Sequence, residues 1–152
     1  MKLAEALQER ADLNNKIDEL RRRLGNGMLV QEGEKPNEDP EELLKELNGA
    51  LERLEVLMGA INLTNCRTKA AGMSLTEIIA RKDALMVKVS AYRDLVHLAG
   101  QNTNRARGTE IKVRPTVNVR EMQKTVDETA KEIRRLNNLL QETNWKTKLI
   151  EK

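Results

Sequence analysis

Pro40–Thr68 reads PEELLKELNGALERLEVLMGAINLTNCRT, and its spacing decides the fold. Every third or fourth residue gives Leu43, Leu47, Ala50, Leu54, Leu57, Ile61, Thr64 and Thr68, one stripe along a long helix. Leu44, Leu51 and Met58 form a second stripe beside it, so the apolar face is wide enough to meet more than one neighbour. Asp39 before Pro40 is a start signal, because Asp accepts free amide hydrogens and Pro fits the first turn. Glu41 and Glu42 suit the positive end of the helix dipole. The apolar seam stops after Ile61, where Asn62, Thr64 and Asn65 follow, with Cys66 and Arg67. This polar cluster reads either as a helix end capped by Asn or as a network that fixes an interface.

Working outward, residues 2–24 form a first helix with the seam Leu3, Ala6, Arg10, Leu13, Ile17, Leu20 and Leu24. Arg10 sits at the seam edge, its stem packed and its head out. Gly25 is the expected stop, and Arg21–Arg23 suit the negative end of the dipole better than they argue for nucleic acid. In the connector GNGMLVQEGEKPNED, Met28–Gln31 is expected to be a short strand and Gly33–Asp39 an acidic loop. After the central helix, a bend around Gly72 leads to a third helix over 75–99, opened by the capping box Ser74–Glu77 and closed by Gly100. So short a bend makes the second and third helices an antiparallel hairpin and sets Asn62–Asn65 near Arg81 and Asp83. Arg81 then meets an Asn carbonyl, an acid of a neighbouring chain, or a solvated surface partner.

Residues 100–118 are irregular, but Ile111, Val113 and Val117 alternate with Lys112, Arg114 and Asn118. That pattern predicts a strand at about 110–114, edged by Pro115 and paired with Met28–Gln31. Arg105, Arg107, Lys112 and Arg114 make the most basic patch, either an anion site or a solvated loop. Asn118 and Glu121 open a last helix over 119–143, with the seam Val119, Met122, Val126, Thr129, Ile133, Leu136 and Leu140. Asn144-Trp145 follows, a packing anchor or a subunit interface. The predicted fold is mainly α: one domain of four long helices in an antiparallel, coiled-coil-like bundle with a small two-stranded ribbon.

Composition agrees. The 152 residues include no Phe, one Trp and one Tyr, so the core is aliphatic, as side-by-side helices require. Residues 1–68 carry 10 Lys/Arg against 14 Asp/Glu, a balance of −4, and residues 69–152 carry 17 against 10, a balance of +7. Such asymmetry permits an anionic partner or head-to-tail self-association. One cysteine and one histidine exclude an internal disulfide, a multi-cysteine metal site and a two-histidine zinc motif. No membrane span and no export signal are expected, which makes the cytoplasm the default location.

Several separated motifs occur together: MKLAEALQERADLNNKIDELRRRL, LVQEGEKPNEDPEELL, INLTN, SLTEIIARKDAL and VNVREMQKTVDETAKEIRRLNNLLQETNW. With them the chain resembles, nearly end to end, a family of small bacterial proteins labelled septicolysin. The resemblance implies a helical, oligomeric protein without an established activity. It also implies weight at Asn62, Thr64, Asn65, Arg81, Asp83, Asn144 and Trp145. Where the family loop carries Tyr-Ser, this chain has Arg105-Ala106.

Three functions follow as expectations. The first is a self-assembling structural or interaction protein, a homo-oligomer without cofactor. The second is a nucleic-acid-binding module using the basic 105–124 region, by analogy with the tRNA-binding arm of seryl-tRNA synthetase. The third is a ligand or metal site formed between subunits. No nucleophile–base pair, glycine-rich phosphate loop or metal-ligand cluster is legible, so an enzyme is not expected.

Overall fold

The structure is a computed structural model and describes residues 1–103 and 111–151. It holds four long helices, α1 (Leu3–Asn26), α2 (Pro40–Arg67), α3 (Leu75–Ala99) and α4 (Val119–Lys146). A two-stranded sheet, β1 (Lys69–Ala70) with β2 (Met73–Ser74), links α2 to α3, and a 3-10 turn, Gly100–Thr103, follows α3. Each later helix starts at its expected cap. Asp39 Oδ1 accepts from the Glu41 N–H at 3.0 Å, and Asn118 Oδ1 from that of Glu121 at 3.1 Å. Ser74 and Glu77 close a reciprocal capping box at 2.7 and 3.1 Å. α1 passes through Gly25 and stops at Gly27, whose N–H returns to the Leu24 carbonyl at 3.0 Å.

Packing divides the chain into two compact units, residues 1–69 with 143–152, and residues 70–142. In the first, α1 lies antiparallel on α2: Leu20 and Leu24 near the end of α1 meet Leu43 and Leu47 near the start of α2. Leu3, Ala6, Ala50, Leu57 and Ile61 are also buried. The register is held by two bidentate pairs, Arg53 on Glu9 at 2.6 and 2.9 Å, and Arg23 on Glu38. In the second unit α3 runs antiparallel to α4, with Leu75, Ile78, Val89, Val126, Thr129, Leu136 and Leu140 buried. Within the units the paired helices are joined by the connectors 27–39 and 100–118.

The ribbon exists, but not where alternation placed it. Neither Met28–Gln31 nor residues 111–114 form a strand, and Glu110 lies outside the described residues. Residues 111–118 are exposed on both faces, so their period of two has no core to face, and Pro115 has no N–H to give a ladder. Met28–Gln31 is irregular and runs into a turn, Gln31–Glu34, with the Glu34 N–H on the Gln31 carbonyl at 2.9 Å and Gly33 at φ 88°. The ribbon forms around Ala71-Gly72, at φ 50° and 80°, the two left-handed positions of a tight hairpin turn.

Two outcomes follow. Ala71 pays for its left-handed backbone, so Ala71→Asn is expected to stabilise by about 0.5–1 kcal/mol and Gly72→Ala to destabilise by about 1 kcal/mol in urea unfolding. Glu9, Glu38 and Glu132 are held below the ordinary 4.5 by hydrogen bonds from Arg53, Arg23 and Arg135, with desolvation opposing and the guanidinium charges assisting. Their stabilisation is full above the unfolded value and is lost as pH falls through the lower folded values. Melting temperature should therefore be level near about pH 6 and decline modestly below about pH 4.5, since the pairs are largely exposed; Glu38→Gln should flatten the decline.

Candidate functional site

Thr64 is the one polar side chain of the INLTN cluster that is fully buried. It lies in the last turns of α2, on the seam, so its hydroxyl points inward. That hydroxyl donates to the Ala60 carbonyl at 2.7 Å and accepts from the Ile150 N–H at 2.8 Å. The final residues are bound here into a clasp. Leu3 N–H donates to the Thr147 carbonyl at 2.9 Å, Leu149 N–H to the Met1 carbonyl at 2.9 Å, and Lys2 bridges Lys148 in antiparallel register. Leu149, 9% exposed, fills the space beneath. Thr64 therefore holds the C-terminal backbone to α2, and its hydrogen atom is committed to Ala60.

The other members of the cluster belong to two units. Asn62 is exposed and Asn65 half-buried on α2, in the first unit. Arg81 and Asp83 are exposed on α3, in the second. Arg81 stands 3.8 Å from Glu132, whose carboxylate is gripped by Arg135 at 2.7 and 2.9 Å. Asn144 is half-buried and Trp145 is 58% exposed in the last turn of α4, so Trp145 is not an interior anchor. Lys112 and Arg114 are exposed, and Arg105 and Arg107 lie outside the described residues. Among the described residues no three His, Cys, Asp or Glu side chains gather to hold a metal, and no helix is long and apolar enough to cross a membrane.

What remains is apolar surface. The second stripe of α2 stays half exposed, Leu44 and Leu51 at 43% and Met58 at 44%. At seven-residue spacing these side chains line one shoulder of the α1–α2 pair, and Asn62 continues their line. On α3 the side chains of Met86, Val87, Leu95 and Leu98 are exposed. A groove of about 460 Å³ runs between Val56, Leu63 and Leu149, with Arg53 and Glu151 at its rim. Sequence reasoning marked the α2 stripe; it missed the groove, because the groove needs Leu149, which only the clasp brings to α2.

Thr64→Val keeps the shape of the side chain and removes both hydrogen bonds. It should leave the Ile150 N–H unpaired and cost about 1–3 kcal/mol, while Thr64→Ser should cost less than half of that. Thermal unfolding of the two variants measures the difference, and limited proteolysis should release residues 147–152 first in Thr64→Val.

Residues 10–149 match the model of a family of unknown function, DUF6847. A search of the curated proteins returns no match. Among solved structures, a protein of Corynebacterium diphtheriae described as a functionally unknown conserved protein is 38% identical, with 99% of each chain covered and a TM-score of 0.92. Neither finding lends support to the septicolysin resemblance. The match over nearly the whole length has one plain consequence: this chain belongs to the family of unknown function DUF6847.

Proposed function

We propose that the protein works as a self-assembling helical element, structural or interaction-mediating, in which the outer stripe of α2 meets a second copy. The observation that carries this is the half-exposed line Leu44, Leu51 and Met58. Its spacing is that of a coiled-coil seam, and a seam of one repeated residue class is complementary to itself. Asn62 supports the same reading, since a polar residue on such a seam fixes register at some cost in stability. The exposed Trp145 adds a large apolar surface of the kind enriched at interfaces.

Magnitudes set the kind of assembly. Burying an aliphatic side chain fully gains ~1.5–3 kcal/mol, so three side chains still 43–44% exposed leave each copy ~2–4 kcal/mol to gain, and a symmetric pair twice that. Association costs ~4–15 kcal/mol in lost freedom. The α2 stripe alone therefore supports a reversible, concentration-dependent contact and not a permanent one.

Leu51→Glu places a charge in the middle of the stripe without touching the buried seam. It is expected to lower the average mass in light scattering at every concentration while leaving helix content unchanged by circular dichroism. Equal masses for Leu51→Glu and wild type at ~100 µM would remove the α2 stripe from the assembly.

A further inference from the structure

We propose that the loop Met28–Glu34 of one copy seats in the hollow at the C-terminal end of α3 of a second copy, joining copies head to tail. The proposal rests on the self-association reading and gives it a second, directional contact. Met28, Leu29 and Val30 are three consecutive apolar residues at 56%, 91% and 48% exposure. A surface loop has no internal use for them. Nor is the loop loose. Arg23 grips Glu38 at its far end, Pro36 packs so close to Gly27 that a Cβ there would stand 3.3 Å away, and the Gln31–Glu34 turn is closed. A loop held in this way loses little further freedom on docking. Beyond the apolar triplet it presents the exposed carboxylates Glu32 and Glu34.

The receiving hollow encloses about 320 Å³ between Leu95, Leu98, Val117 and Met122, with Arg114 at its rim. Leu95, Leu98 and Val117 are 49%, 62% and 48% exposed, and Lys112 is exposed two residues from Arg114. Charge picks this hollow over the others. The α2–Leu149 groove has Arg53 already committed to Glu9 and Glu151 opposite; the hollow beside Met86 carries Asp94; that beside Leu44 carries Glu41 and Glu52 against the single cation Lys45. The hollow at Leu98 offers a cation and no acid among its lining residues. The overall balance has the same sense, −4 over residues 1–68 against +7 over residues 69–152. A loop-to-hollow contact joins two different surfaces, so each copy both offers a loop and receives one.

The test is made in a Leu51→Glu background, where the α2 stripe is already disabled, by sedimentation velocity on the full chain. The association that remains is expected to weaken at least ~10-fold on Leu29→Glu, and by a similar factor on Leu98→Glu. An equimolar mixture of these two proteins should recover a one-to-one complex, because the intact loop of one meets the intact hollow of the other. Arg114→Glu should weaken association, and combining it with Glu32→Lys and Glu34→Lys should restore it. Both apolar changes are at exposed positions, and circular dichroism checks that helix content is kept. A Leu51→Glu protein already monomeric at ~100 µM overturns the proposal, as does a mixture that stays monomeric. A Leu51→Glu change that leaves the mass untouched overturns the α2 reading instead and leaves the head-to-tail contact standing.

Discussion

A pair of antiparallel helices buries the seam between them and little else, and the whole arrangement follows from that limit. The seams here are aliphatic because the chain has no Phe, and each is filled by residues such as Leu20, Leu24, Leu43, Leu57 and Ile61, or Ile78, Val126 and Leu136. Any further apolar residue on the same helix has to stay near water. Leu44, Leu51 and Met58 are such residues, and so are Val87 and Leu98. Exposed apolar lines of this length are unusual on a protein that remains alone.

The chain ends and the connectors are the places where this protein invests its polar contacts. Backbone pairing of Met1–Leu3 with Thr147–Leu149, closed by Thr64, fastens both termini to α2. Arg23 and Glu38 fasten the first connector to α1. Both devices hold irregular backbone still, and in the second case what is held still is an apolar triplet aimed at solvent. Such a presentation is what the proposed docking of the loop requires.

Much of this was legible in the sequence because a helix writes its buried face at a period of 3.6. The seams read for all four helices are their inward faces, and the caps at Asp39, Ser74 and Asn118 form as spaced. The ribbon was misplaced for a physical reason. Alternation at Ile111–Val117 signals a strand only when one face has a core to cover, and these residues have none. The true ribbon is two residues per strand, too short to show alternation, and its turn begins with Ala71, a residue that rarely marks a left-handed position. The clasp left no pattern at all, because backbone pairing between residues some 145 apart depends on no side-chain period. Of the candidate site, Thr64 was found as a position, but its role is to satisfy backbone groups; Asn62 and Trp145 are on the surface.

The central claim is that the apolar lines left uncovered by the two helix pairs are covered by other copies of the same chain. Light scattering of the wild-type protein over a dilution series from ~100 µM to ~1 µM tests it most directly. The account requires a weight-average mass well above 17.3 kDa at the concentrated end, falling towards that value on dilution. A mass of 17.3 kDa at every concentration would contradict it and would leave Leu44, Leu51, Met58 and Leu29 facing water in the working protein.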